Sequence, residues 1–218
     1  MKRKSLVYFP SPAEAEADGF LAVSMELNQT LLDEAYENGI FPWYEDIGFF
    51  FWYAPNPRFV LFTSELHVSS SSRKQLRKNL FHFTINRAFD EVIECCRIQE
   101  RAAGQICWIT DAFVEAYRTA NRRGKCISVE AWSSEGRLVG GFYGMVCGKV
   151  FCGESMFHLE SNAGRLAMIW FCLNSGFSLI DCQMPSDHMK ALGGREIPLA
   201  EYLDVLDEGR TDIVEPDI

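Results

Sequence analysis

The chain has 218 residues, 48% of them apolar and 23% charged, and its 30 acidic against 21 basic residues leave a net charge of -9. No unbroken apolar stretch approaches the 18 or so residues of a membrane span. Behind Lys2-Arg3-Lys4, the apolar run from Leu6 to Phe9 stops at Pro10, too short for an export segment. A cytoplasmic protein is expected. The acidity excludes a protein that coats nucleic acid nonspecifically, so any RNA contact must be local.

In chain order, Asn28 is placed to cap a helix carrying Leu31, Leu32, Ala35 and Tyr36, ended by Gly39. Aromatic residues crowd the stretch from Phe41 to Phe62, where Pro42, Pro55 and Pro57 forbid one long helix and predict turns and short strands. From about residue 65 the pattern changes to alternating helices and strands. After the serines Ser69 to Ser72, the residues Arg73, Lys74, Arg77 and Lys78 recur on a single helix face, either a solvated surface or a local anion contact. Asn86 is read as the cap of a helix with Phe89, Val92, Ile93 and Cys96 on one face. Thr110 is read as the cap of another with Phe113, Val114, Tyr117 and Ala120. Ile127 to Trp132, Leu138 to Val146 and Val150 to Glu154, separated by turns, predict an antiparallel meander. A helix starting at Ser161 or Asn162 and bearing Leu166, Ile169, Trp170 and Leu173 then leads through Gly176 to a strand, Phe177 to Gln183. Strand, helix, strand is a right-handed crossover that makes its two strands parallel, so the sheet is expected to be mixed.

Eight cysteines without paired spacing, and without any Cys-x-x-Cys, are expected to be free and mostly buried thiols. Four scattered histidines offer no ligand spacing, so no metal is expected. Neither Cys152 nor Cys182 stands in a recognisable relation to a histidine, and Ser155 lacks the second glycine of a nucleophile elbow. The polar candidates are carboxylates and an amide. Alternation along the last strand puts Asp181 and Gln183 on one face near its C-terminal end, where open sheets with parallel strands place ligands. Glu154 ends the neighbouring strand between a glycine and apolar residues, where a carboxylate needs a partner. By residue chemistry alone, Asp181 and Gln183 could equally be a structural pair.

Eight ordered segments carry more: Gly39-Ile40-Phe41-Pro42-Trp43, Trp52 through Pro55-Asn56-Pro57-Arg58, Leu66-His67-Val68-Ser69, Trp108-Ile109-Thr110, Gly140-Gly141-Phe142-Tyr143-Gly144, Gly153-Glu154-Ser155-Met156-Phe157, Ile180-Asp181-Cys182-Gln183 and Leu192-Gly193-Gly194-Arg195-Glu196-Ile197-Pro198. In this order, over roughly residues 20 to 203, they resemble the motifs of leucyl/phenylalanyl-tRNA-protein transferases. The resemblance implies an α+β protein: a small N-terminal α/β domain, residues 1–64, and a larger domain, residues 65–218, similar to N-acetyltransferases, with a mixed sheet flanked by helices. It implies transfer of Leu, Phe or Met from aminoacyl-tRNA to the N-terminal amine of proteins beginning with Arg or Lys, which marks them for degradation, with no cofactor and by a monomer. Trp43 and Trp108 would hold the terminal adenosine. Phe142, Met156 and Ile180 would line an apolar pocket for the amino acid, and Glu154, Asp181 and Gln183 would line the reaction centre. Arg73, Lys74, Arg77 and Lys78 would touch the tRNA body.

Two departures stand out: Ser24-Met25-Glu26-Leu27 where the family usually reads Gly-Gly-Asp-Leu, and Ala163-Gly164-Arg165 where it reads Ala-Ser-Lys. Arg165 keeps the positive charge at a helix start, where it is expected near the tRNA 3' backbone. An acetyl-coenzyme A transferase is the rival reading, but its pyrophosphate loop of the form Gln/Arg-x-x-Gly-x-Gly/Ala is missing before the crossover helix. A noncatalytic RNA-binding module would leave Glu154, Asp181 and Gln183 unexplained.

Overall fold

Turn residues and apolar runs resolve into ten strands and seven helices in the computed structural model, which describes residues 6–99 and 108–209. The basic start at Lys2 to Lys4 and Cys107 lie outside the described residues. Three strands, β1 (Phe20–Ser24), β2 (Phe41–Asp46) and β3 (Phe49–Tyr53), form a small antiparallel sheet in the order β1-β3-β2. Helix α1 (Gln29–Glu37) lies between β1 and β2 in sequence, with the Asn28 side chain accepting from the backbone of Leu31 as its cap. The two-residue turn Ile47-Gly48 joins β2 to β3, and both residues have positive φ, as a tight hairpin requires.

The larger sheet has seven strands in the order β10-β4-β9-β8-β7-β6-β5. These are β4 (Arg58–Phe62), β5 (His82–Ile85), β6 (Cys126–Trp132), β7 (Leu138–Cys147), β8 (Val150–His158), β9 (Leu179–Asp181) and β10 (Arg195–Ile197). β4, ahead of residue 64, belongs to this sheet. The meander β6-β7-β8 is antiparallel and β8 to β9 is parallel, so the sheet is mixed and the fold is of the α+β class. Helices α2 (Ser70–Arg77), α3 (Phe89–Ile98), α4 (Asp111–Arg122), α5 (Ala163–Asn174), α6 (Asp187–Lys190) and α7 (Leu199–Gly209) complete the chain. Alternation along β7 divides the interior: Tyr143 and Met145 pack in one core with α1, α3, α4 and α7, and Phe142 packs in a second with α5. The seven cysteines among the described residues are free, four of them buried.

Local details differ from the sequence reading for identifiable reasons. Helix α3 starts at Phe89 with Ala88 in the cap position. Asn86 is left-handed, and its side-chain oxygen accepts from the Ser128 backbone and from Asn121 instead. Thr110 and Asn162 do stand at the starts of α4 and α5, but neither side chain caps. The Thr110 hydroxyl donates to Glu45, and Asn162 is left-handed. Strand β8 runs on to His158. β9 stops at Asp181 because Gln183 is left-handed, φ 62°.

Close packing explains the glycines of β7. A Cβ on Gly144 would stand 2.2 Å from the carbonyl oxygen of Cys152 and 2.6 Å from the Phe151 ring, and one on Gly140 would stand 2.6 Å from the Ala163 side chain. We expect Gly144→Ala to destabilise the fold by about 3 kcal/mol, since backbone cannot give way as a flexible side chain can. Gly136→Ala, in an open turn with φ 75° and nothing within 4 Å of the new carbon, should cost only about 1 kcal/mol of left-handed strain. Urea denaturation of both variants checks this, and equal losses would contradict the packing account.

Candidate active site

The sheet opens where its one parallel pair ends. β8 and β9 are in register from Val150 opposite Leu179 to Cys152 opposite Asp181, and beyond that point β8 continues without β9 beside it. A cavity of about 190 Å³ occupies the gap, with Phe142, Met156, Met168 and Ile180 among its apolar walls and Glu154, Asp181 and His188 among its polar ones. Phe142, Met156 and Ile180, expected together from the sequence, thus do line one hollow. Ile180 reaches it although it alternates away from Asp181, because the strands part at this point.

Asp181 is fully buried and accepts four hydrogen bonds from three residues. Arg58 donates to it through Nε at 2.8 Å and Nη2 at 2.6 Å, Tyr202 donates its hydroxyl at 2.8 Å, and the backbone N–H of Gln183 donates at 2.9 Å. The Arg58 guanidinium lies between the rings of Phe41 and Tyr202, 4.7 Å from each centroid, and its Nη1 donates to the carbonyl of Gly39. Burial alone would push the pKa of Arg58 down; the carboxylate beside it more than offsets this and raises it.

Glu154 faces the cavity and is joined to Gln183, whose side-chain Nε2 donates to Glu154 Oε1 at 2.9 Å. Tyr36 and Tyr117 hydroxyls meet the two carboxylate oxygens at 2.7 Å and 2.8 Å and each other at 2.8 Å. These three O···O contacts need three protons, of which the two hydroxyls bring only two. A protonated Glu154 supplies the third and closes the ring. Burial accordingly raises the Glu154 pKa to about 7, with Asp181 adding to the rise and the tyrosines and Gln183 opposing it. Asp181 therefore fixes the main chain of Gln183 and Glu154 its amide, while the carbonyl Oε1 of Gln183 has no partner among the described residues.

Trp43 and Trp108 are half-buried and are not on the cavity wall. Each is linked to it through one or two rings: Trp43 packs near Phe41, under Arg58, and Trp108 packs edge-on against Phe113, which stacks on Tyr117. The hydrogen bond from Thr110 to Glu45 ties their two segments together. Arg73, Lys74, Arg77 and Lys78 are exposed and border one open surface hollow on α2, away from the cavity. Arg165 stands in the first turn of α5, one turn before the cavity residue Met168. Among the described residues, no group of three His, Cys, Asp or Glu side chains could hold a metal, and no helix is long and apolar enough to cross a membrane.

Comparison with known proteins settles the affiliation. Residues 60–207 match the family model for leucyl/phenylalanyl-tRNA protein transferase, and residues 25–56 match the model for the N-terminal domain of the same family. The chain belongs to this family. Curated relatives bearing that name include one from Flavobacterium psychrophilum, 44% identical over 91% of this chain and 95% of the relative. Another, from Pseudoalteromonas atlantica, is 44% identical over 94% and 88%. A solved GCN5-related N-acetyltransferase from Kribbella flavida aligns over 78% of this chain and 61% of that one at 11% identity and TM-score 0.36, a distant likeness only. The chain is thus an aminoacyltransferase that moves an aminoacyl group from tRNA to protein.

For a member of this transferase family, the residues that sequence reasoning missed are the supports: Arg58, Tyr202, Tyr36 and Tyr117. Arg58 stands at the end of the quoted segment Pro55-Asn56-Pro57-Arg58, and a buried aspartate always calls for such a donor. The tyrosines gave no signal beyond their apolar spacing.

The Glu154 shift has a consequence for stability. With a folded pKa near 7 against an ordinary 4.5, the folded state binds more protons than the unfolded one between these values. Stability therefore falls as pH rises through that window, by up to ~3 kcal/mol. Glu154→Gln, which keeps the hydrogen bonds of the neutral form, is expected to flatten this slope, measured as urea midpoints from pH 5 to 8. A slope equal to that of the unaltered protein would exclude Glu154 as its source.

Proposed function

We propose that the chain transfers Leu, Phe or Met from aminoacyl-tRNA to the N-terminal amine of proteins that begin with Arg or Lys, marking them for degradation. It would do so in the cytoplasm, as a monomer and without a cofactor. The observation that supports this most is a cavity of about 190 Å³, room for one apolar side chain and less than the roughly 300 Å³ or more typical of larger ligands, walled by a glutamate that holds the side-chain amide of Gln183. In this reading Phe142, Met156 and Ile180 receive the amino-acid side chain. Trp43, within residues 1–64, and Trp108, in the segment just before α4, hold the terminal adenosine by stacking. Arg73, Lys74, Arg77, Lys78 and Arg165 contact the RNA backbone.

Aminolysis of an ester is downhill, so the work is alignment and oxyanion stabilisation. The neutral amine attacks the ester carbonyl, the bond to the ribose oxygen breaks, and the proton released by the amine ends on that oxygen. Gln183 Oε1 accepts a hydrogen bond from the attacking amine. Asp181 acts through the backbone of Gln183 and is a positioning residue, and Glu154 fixes the Gln183 amide while offering its negative form to the basic acceptor side chain. Because removal of Asp181 orphans Arg58, Gln183→Ala is the cleaner probe of chemistry.

Incubating the protein with labelled Leu-tRNA and a peptide beginning with arginine, beside an acetyl-coenzyme A control, tests the reading; label on acetyl and not on leucine would sink it. We expect kcat/KM to climb with pH through about 7 as Glu154 ionises, and Glu154→Gln to lose that inflection. Reversing Arg73, Lys74, Arg77 and Lys78 to Glu should weaken tRNA binding and lower its salt slope by ~1 for each phosphate no longer neutralised. An unchanged slope would make α2 an ordinary solvated face.

Donor choice should be loose among apolar residues, since one methylene is worth only ~1 to 3 kcal/mol. A Cβ on Gly164 would stand 3.0 Å from both Cγ and Sδ of Met156 and 2.9 Å from the carbonyl of Phe157. Gly164 thus lets Met156 lie against α5. Gly164→Ser is expected to press Met156 into the cavity and disfavour Phe relative to Leu, and Met156→Ala to do the reverse. Competition between Leu- and Phe-tRNA reads both, and an unaltered ratio in both variants would remove Met156 from the pocket.

A further inference from the structure

Not every polar residue on the wall of the cavity is used by the transfer chemistry. His188, in α6, borders it, and the Nε2 atom of its ring is buried without a hydrogen-bond partner. The same is true of Nε of Arg165. The two come from separate elements but meet at one place. Arg165 precedes the cavity residue Met168 by three positions, which puts both on one side of α5. Burial, and then the positive charges of Arg165 and of His158 at the end of β8, push the His188 pKa below its ordinary value. Arg165 therefore stands close enough to His188 for its charge to be felt there, and His188 itself borders the cavity.

No carboxylate pairs with either Arg165 or His188 among the described residues. The acids of the region are engaged elsewhere: Glu160 stands 3.5 Å from Arg137, and Asp187, fully exposed, 4.0 Å from Lys190. The start of α5 adds to the imbalance, because Asn162 does not cap it and its first turn holds no acidic residue. Glu154 and Asp181, on the same cavity wall as His188, are held by Tyr36, Tyr117 and Gln183 and by Arg58 and Tyr202, so in a chain with a net charge of -9 neither acid pairs with Arg165 or His188. A buried donor without an acceptor carries its full desolvation penalty, and an oxyanion accepting from both groups would remove it.

We propose that Arg165 and His188 form a phosphate subsite that binds the phosphodiester on the 5' side of the donor's terminal nucleoside. The proposal rests on the reading of the donor given above. The aminoacyl ester sits on the ribose of that nucleoside, so the nearest anion of the donor is the phosphodiester on the same ribose. With the amino acid in the apolar part of the cavity, that anion reaches the rim. The subsite would explain how a donor with little else in common between tRNAs is registered: a phosphate contact carries position and no sequence information.

The test compares two leucyl donors in transfer to an arginyl peptide: leucyl-adenosine, which lacks the phosphodiester, and a leucylated cytidylyl-cytidylyl-adenosine trinucleotide, which has it. Arg165→Met and His188→Gln are each expected to reduce the advantage of the trinucleotide in kcat/KM by about ten-fold, the size of one charge-assisted hydrogen bond. An unchanged ratio between donors would overturn the subsite, however far both rates fell. Independently of any variant, NMR titration of the unaltered protein should show the His188 imidazole pKa rising with adenosine 5'-monophosphate and staying put with adenosine. Equal responses to the two would overturn the proposal, as would a response to inorganic phosphate matching the nucleotide's with no change in the donor ratio, which marks a general anion site. Failure of the unaltered protein to transfer leucine from either donor would instead bring down the proposed function.

Discussion

The buried pair of Arg58 and Asp181 is the interaction on which the rest of the structure depends. Taking two full charges out of water costs several kcal/mol for each, and the pair persists only because its geometry leaves little unsatisfied. The guanidinium forks across both carboxylate oxygens, its remaining face lies between two aromatic rings, and its spare donor meets the Gly39 carbonyl. In doing so it clamps β4 to β9, α7 to the sheet, and the segment after α1 to both. Gly39 has φ 74°, and a Cβ there would stand 2.8 Å from Leu203 Cδ2 and 3.0 Å from the Tyr202 ring, so a side chain would be strained and would press on α7.

The second network, around Glu154, works in the opposite sense. Asp181 is surrounded by donors, whereas Glu154 meets two tyrosines that also bond to one another, so its neutral form completes the ring of protons and its charged form breaks it. Two carboxylates on adjacent strands are thus set to different tasks by their surroundings. The difference comes from partners far away in sequence, Tyr36 and Tyr117 for one and Arg58 and Tyr202 for the other.

What is legible in the sequence follows from how local its cause is. The meander, the crossover and the parallel pair are readable because apolar alternation and turn residues are local signals, and Asn28 is readable as a cap for the same reason. β4, β5, β10 and α7 are not. The strands are short, and β4 enters the sheet between β9 and β10 by a pairing that only the completed fold decides. Glu154, Asp181 and Gln183 are visible as polar residues out of place in apolar strands, but the last two converge for a reason other than strand alternation. Gln183 turns left-handed instead of continuing the strand, and the two meet through a backbone N–H. Asn86 fails as a cap because the same short side chain that caps helices also stabilises left-handed turns.

The sequence distances within the Asp181 cluster also bear on how the protein comes into being. Its members lie 123 and 21 residues from Asp181 in the case of Arg58 and Tyr202, so each contact closes a long loop before it stabilises anything. The cluster cannot be assembled from a local nucleus, and such non-local closures come late and slowly in folding. Until the segment bearing Tyr202 has left the ribosome and docked, Arg58 has only part of its cage. A nascent chain can thus hold its meander well before it can hold the caged pair of Arg58 and Asp181, and the complete cage arrives with α7 rather than growing with length.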